Sequence, residues 1–361
     1  MKQALTLTLI LLLMPLAGCL GDASDDAEGT NPTVRVLTYD ISAFTVEMLE
    51  EFTNQTGYEV EMIRADDAGG ILETMLQTRQ APQADVMVGL DNTYLQTAIE
   101  AGLLEAHELT NMTLDSAAQG PYSGPLALPF DQGDVCLNVD ERGLNDNRTM
   151  PTSLWNLTQP EWNGKVAIPS PLTSSPGRSF MTATVDYFEH DVDNATDAFD
   201  WWSAMANNDM IVTSGWTEAY EIHYSGGYGP YVDGHIGDAL MTVSYCHSPG
   251  VEAFYADNYT VSTSVVLDRA TFHQVEYAGV INGADNVEGA KAFISYLLSE
   301  DVNRNMPENN LMNSVLPNPV FPETNGYRHH TDVPSLNAEI SMERIAEDMD
   351  GWLEAWRTAT A

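Results

Sequence analysis

Three times between Val34 and Ala101 the chain runs through a short β-rich stretch and then into a segment of helical period. The strands read Val34 to Tyr39, Tyr58 to Ile63 and Ala84 to Leu90. The first helix, Thr45 to Thr56, sets Met48, Leu49 and Phe52 on one face and is stopped by Gly57, with Ser42 as its candidate cap. Ile71, Leu72, Met75 and Leu76 mark the second, after a turn at Asp66 to Gly70, and Thr93 to Ala101 is the third. A βαβαβα order admits few folds: it asks for a mostly parallel sheet with helices on both faces. Ligands of such sheets gather at the carboxyl ends of the strands. Here those ends are the loops at Tyr39-Asp40, Asp66 to Gly70 and Gly89 to Asn92.

Leu126 to Asp140 breaks the rhythm and reads as a strand crossing between two lobes. Lys165 to Ile168 is a strand that leads into Pro169 to Gly177. The hydroxyls and amides there precede a helix from Ser179 to Phe188, which suits either an anion cradle or plain capping. In Val212 to Tyr220, Val-Thr ends a strand, Ser214-Gly215 turns, and a helix starts at Thr217. Trp216 and Tyr220, four residues apart, then share one helical face at the mouth of that loop. Taken alone, the stretch fits two rings buried under a loop better than it fits a site. Tyr224 to Gly237 has no period and reads as an irregular loop. Asp238 to Cys246 is a strand, Val261 to Leu267 and His273 to Val280 read as strands returning to the first lobe, and Asp285 to Leu298 and Leu336 to Trp356 as helices. Two α/β lobes joined by crossing strands form a hinge architecture. The expected divisions are 33–130 for the first part of lobe 1, 131–268 for lobe 2, 269–318 for the return to lobe 1, and 319–361 for a C-terminal helical segment.

The amino terminus carries export signals. Met1-Lys2 precedes an apolar run, Ala4 to Leu16, too short to span a membrane comfortably. Leu16-Ala17-Gly18-Cys19 has the form of a lipobox, so 1–18 reads as a signal peptide and Cys19 as the lipidated residue. The segment 19–32 is acidic and rich in small residues, as a tether would be. The expected location is the extracellular face of the cell membrane, held by a lipid anchor. The chain carries 53 acidic residues against 14 basic ones, a formal charge of −39, which argues against nucleic acid as a partner. The acid is spread along the chain, and a halophile's solvated surface accounts for it. Asn54, Asn111, Asn147, Asn156, Asn194 and Asn258 open Asn-x-Thr triplets compatible with a glycoprotein. Beyond Cys19 only Cys136 and Cys246 remain; they are enough for one disulfide and too few for a structural zinc site.

Six blocks in order carry a resemblance: Thr38-Tyr39-Asp40, Ala84-Asp85-Val86 through Asp91-Asn92, Leu128-Pro129-Phe130-Asp131, Thr173-Ser174-Ser175-Pro176-Gly177, Gly215-Trp216-Thr217-Glu218-Ala219-Tyr220 and Ser244-Tyr245. The chain resembles, from Val34 to its last helix, the thiamine-binding proteins of ABC importers. That resemblance implies a two-lobed periplasmic-binding-protein-like α/β fold of type II, with hinge-crossing strands. It implies a binding protein rather than an enzyme, without a cofactor and monomeric, that captures thiamine or its phosphates and delivers them to a membrane permease. By the same resemblance Trp216 and Ser174 stand at the phosphate end of the ligand, with Asp67 on a nearby acidic loop, and Tyr39, Tyr220 and Tyr245 line the pocket. Aromatic faces attract a thiazolium cation by roughly 0.5–2 kcal/mol. Asp40 and Asp131 are then candidates to offset that charge and to accept from the exocyclic amine. Glu218 reads as a helix N-terminal acid, and Gln274 and Tyr277 as sheet residues near the cleft. The chain departs from the family in two places: Leu311 follows Asn310 where a Trp is usual, and Ala68 follows Asp67 where a Gly is usual.

Other readings compete. Thiamine-degrading transferases resemble the same fold and use a cleft Cys, for which Cys136 is the candidate if it is unpaired. Ferric-iron carriers resemble it too, but commonly use adjacent tyrosines, and no Tyr-Tyr pair occurs here. A small anion or a polyamine is a further possible ligand.

Overall fold

The computed structural model describes residues 32–39, 44–190, 197–227, 237–319, 321 and 333–361. The signal segment, Cys19 and the tether up to residue 31 lie outside them, as do Asp40, Ser42, Asn194 and residues 228–236. Pro32–Ala361 forms one compact unit.

The first half follows the rhythm of the sequence. It comprises β1 (Thr33–Tyr39), α1 (Val46–Thr56), β2 (Glu59–Ala65), α2 (Ala68–Thr78), β3 (Val86–Asp91), α3 (Leu95–Glu100) and β4 (Leu104–Glu105). Helix α1 is capped by Thr45, whose side chain accepts from the Met48 N–H, and ends at Gly57 in the left-handed region (φ 78°). Helix α2 starts three residues earlier than the apolar pattern suggests, at Ala68, because Asp67 caps it. Strands β2, β1 and β3 are parallel and in that order. Arg35 holds Asp85 across this sheet at 2.9 Å, an ion pair that keeps the Asp85 carboxyl below its ordinary range despite its burial.

After the short α4 (Ser116–Gln119), the long β5 (Leu128–Asp140) leaves this half. The second half comprises β6 (Val166–Pro169), α5 (Ser175–His190), α6 (Ala198–Asn207), β7 (Ile211–Thr213), β8 (Met241–Tyr245), α7 (Ser248–Tyr255) and β9 (Ser262–Val265). The chain returns along β10 (Phe272–Ile281) to α8 (Val287–Leu297), α9 (Glu300–Asn303), α10 (Met306–Asn309), β11 (Asn313–Ser314) and finally α11 (Met342–Ala359). The sheet is continuous, in the order β2-β1-β3-β10-β5-β8-β6-β7. Its central antiparallel pair does the crossing. Strand β10 pairs with β3 through Glu276 to Val280 and with β5 through Phe272 to Ala278; β5 in turn pairs with β8 through Val135 to Val139. Strand β9 does not return to the first half. It pairs with the far end of β5, Leu137 to Asp140, so β10 is the returning strand.

Separate cores flank the crossing. Phe52, Val86, Phe293 and Ile294 pack in one cluster of the first half, and Leu37, Ile71, Met87 and Tyr277 in another. In the second half Trp162, Phe180, Trp201 and Trp202 form the center, and α11 adds Ile345, Met349, Trp352 and Trp356 to it. The fold is thus the two-lobed α/β arrangement with hinge-crossing strands.

Candidate functional site

A cavity of about 790 Å³ opens where the carboxyl ends of the strands from both halves meet. Its aromatic wall comes from the stretch after β7. Thr213, Ser214 and Gly215 turn the chain, and a short π-helical turn runs from Glu218 to His223. Trp216 lies flat on Tyr220, with ring centroids 4.8 Å apart and planes 14° from parallel. The indole N–H donates to the Ser244 hydroxyl at 2.8 Å, and Ser244 is in turn 2.9 Å from Ser248. Tyr220 donates its hydroxyl to Glu252, which also accepts from Thr260 and Ser262. Burial nevertheless pushes the Glu252 carboxyl up to about 7. The wall is therefore fixed from behind by hydrogen bonds rather than by packing alone. Glu218 accepts from the Ser214 N–H and hydroxyl at 2.8 Å each, which lowers its pKa and leaves it a local cap.

Opposite stands the loop after β2. The half-buried Asp67 accepts from its own helix at the Ala68 N–H (2.7 Å) and reaches the Ser175 N–H, at the start of α5, at 3.4 Å. Two helix N-termini thus converge on one carboxyl group, which burial still raises to about 6. Thr173 donates to the Ser214 carbonyl at 2.6 Å and ties the two loops of the second half together.

The floor is built from the crossing strands. Tyr39 ends β1 and lies over Gly89 of β3, where φ is +109° and a Cβ would collide with the ring at 2.4 Å. Its hydroxyl donates to Glu276 Oε2 at 2.9 Å. Asn310 donates to the Tyr39 oxygen at 3.0 Å and to Asp131 Oδ2 at 2.6 Å. Gln274 donates to the Tyr245 oxygen at 2.8 Å and to Glu276 Oε1 at 3.1 Å. Asp131 and Glu276 face each other in register on β5 and β10. Burial raises both, Asp131 to about 8 and Glu276 well above its ordinary value.

Among the candidates named from the sequence, Tyr39, Asp67, Trp216, Tyr220 and Tyr245 line the cavity. Asp131 and Ser174 are fully buried and do not line it; the neighboring Ser175 does. Asp40 lies outside the described residues. Tyr277 packs edge-on against Tyr122 within the first half, as a sheet residue. Glu276, Glu252, Ser248 and Asn310 belong to the cavity wall and were not singled out as ligand contacts from sequence. A charged residue inside the apolar run of β10 was the available signal for Glu276. Leu311 does line the cavity, and its φ of 57° places it in the left-handed region. Its carbonyl is 2.7 Å from His247 Nε2.

Among the described residues the lining includes six carboxylic side chains (Asp66, Asp67, Glu218, Glu221, Glu252 and Glu276) and no lysine, arginine or histidine. Such a cavity favors a cation. Cys136 and Cys246 form a disulfide with Cα atoms 5.3 Å apart, so neither sulfur is a free nucleophile.

Comparison with known proteins agrees with this architecture. The chain is 24% identical over 338 residues to the thiamine-binding periplasmic protein of Escherichia coli, covering 91% of this chain and 94% of that one. The protein of the same name from Salmonella typhimurium is 23% identical over the same shares. A solved periplasmic thiamin binding protein superposes with a TM-score of 0.76 at 22% identity, covering 92% of this chain and 97% of that structure. The model of the bacterial extracellular solute-binding proteins matches residues 47–332, and the chain belongs to that family.

Proposed function

We propose that this protein captures thiamine between its two lobes and delivers it to the permease of an ABC importer. The observation that carries this reading is the cavity itself: a fixed, stacked Trp216–Tyr220 wall shares it with charged side chains that, among the described residues, are all acidic, in a volume suited to one small molecule. Thiamine presents a flat aminopyrimidine for the wall and a permanent thiazolium charge for the acids. The full-length likeness to thiamine-binding periplasmic proteins supports the same ligand. The mechanism is binding without turnover. A ligand that touches both lobes favors the closed state by its higher affinity for it. Cys19 serves as the lipid anchor that keeps the receptor at the outer face of the membrane.

Thiamine is expected to outrank its phosphates. No basic side chain among the described residues lines the cavity to meet a phosphate, and Asp67 already stands at the N-terminus of α5. Calorimetric titration in high salt with thiamine, thiamine monophosphate and thiamine diphosphate tests the reading. One-to-one binding that leaves the ligand intact supports it. Absence of heat with all three sinks the choice of thiamine.

A further inference from the structure

The cavity floor holds two acids where its ligand would need one counter-charge. Glu276 faces the cavity with only 4% of its surface exposed, and Asp131 lies behind it with none. They sit on adjacent crossing strands, and the polar groups around them are neutral: Tyr39 from β1, Gln274 from β10 and Asn310 after α10. Tyr245 from β8 joins them through Gln274. Among the described residues, the charges beyond Asp131 that act most on Glu276 are also acids, Asp91 at the end of β3 and Asp67 before α2. Arg178, the cation of this region, acts on Asp67 and Asp91 and lies over the Tyr94 ring at 3.7 Å. Asp131 Oδ1 is buried without a hydrogen-bond partner among the described residues. Two buried carboxyls paired across adjacent strands, with no cation between them among the described residues, do not both ionize.

We infer that the Asp131–Glu276 pair is the charge-selecting element of the cleft, taking a permanently charged heteroaromatic cation over a neutral molecule of the same shape, and that the cation's entry expels a proton. This deepens the thiamine reading and rests on it for the choice of ligand. The step balances simply. A cation enters, one carboxyl O–H of the pair breaks heterolytically, the electron pair stays on oxygen as the counter-charge, and the proton goes to solvent. Glu276 is the member that meets the ligand; Asp131 is a positioning residue that keeps it protonated until a cation arrives. Binding must then tighten as pH rises, by at most about tenfold per unit for one proton released.

The test is calorimetry on the purified protein at pH 7 in two buffers of different ionization enthalpy. Three probes are used: thiamine, deazathiamine, in which carbon replaces the charged ring nitrogen, and N-benzylthiazolium, which keeps the charge and drops the aminopyrimidine. Thiamine is expected to release roughly one proton or somewhat less. Deazathiamine is expected to release none and to bind at least about tenfold more weakly. The D131N/E276Q double variant is expected to abolish the buffer dependence and to bring the two affinities together. Thiamine binding with no proton release, or with deazathiamine as its equal, overturns the inference and leaves the thiamine reading standing. If thiamine fails to bind while N-benzylthiazolium binds with proton release, the reading falls and the inference holds. Failure of both cations overturns both. Should the double variant not fold, the wild-type comparison of charged and neutral probes decides alone.

Discussion

Trp216→Ala separates the role of the aromatic wall from its role in stability, and both magnitudes can be worked from the geometry. The ring stacks on Tyr220 at 4.8 Å and donates to Ser244. Losing the stack removes about 0.5–1.5 kcal/mol beyond area burial. Losing the indole hydrogen bond removes about 1 kcal/mol, with no further penalty because Ser244 keeps Ser248 as a partner. The fold should therefore weaken by roughly 2 kcal/mol, a fall in Tm on the order of 3–5 °C for a domain of this size. The effect on the ligand is separate. Stacking a flat ring is worth about 1–3 kcal/mol and a cation over indole about 0.5–2 kcal/mol. The two overlap, so the net loss is about 1.5–3 kcal/mol, or roughly 10- to 150-fold in Kd. Trp216→Phe keeps a stacked ring without the N–H, and should lose about 1 kcal/mol of stability but less than about fivefold in affinity. Titration calorimetry and scanning calorimetry on the same preparations give the two numbers. Wild-type thiamine affinity in Trp216→Ala would refute the assignment of this wall to the ligand.

Leu311→Trp places an aromatic side chain on the cavity lining; an affinity gain of several-fold is expected by titration, and unchanged or weaker binding would mean the left-handed backbone there points the ring elsewhere. The C136S/C246S pair opens a covalent loop with a sequence separation of 110, and should cost about 2–5 kcal/mol in denaturant unfolding; an unchanged midpoint would refute a stabilizing role. Burial raises Asp91 to about 7, so the folded state holds a proton that the unfolded chain has released, and this group makes stability fall as pH rises from about 4 to about 7. Asp91→Asn keeps an acceptor for the Thr93 N–H and hydroxyl while removing that titration, so its Tm advantage over wild type should grow between pH 5 and pH 8; a constant difference would refute the assignment.

Much of the first half is legible from sequence because its signals are local. The three strand–helix units appear within a few residues of their predicted bounds, and Gly57 stops α1 where a left-handed C-cap is needed. What misleads is what depends on distant partners. Helix α5 begins at Ser175, four residues before its apolar pattern, because its first amide faces Asp67 from the other half of the fold. Strand β9 carries the same β-rich composition as β10, yet only pairing with β5 keeps it in the second half. The site divides likewise. Trp216 and Tyr220 are readable because helical spacing brings them together. Glu276 is not, because strand alternation is interrupted by register shifts on either side of Tyr277. Asp131 reads as a candidate contact from its motif; it is fully buried, paired in register with the cavity-lining Glu276.

The floor of the cleft is made from the two strands that also join its halves, and this limits how such a receptor can change. In a fold where binding residues sit on loops, selection can exchange one ligand for another and leave the moving parts alone. Here Glu276 and Asp131 are rungs of the crossing ladder itself. A substitution that adapts the floor to a new charge also alters the span that joins the halves, so the two traits are inherited together. Diversification should therefore run through the walls, at Trp216, Leu311 and the loop after β2, while the floor changes only in compensated pairs.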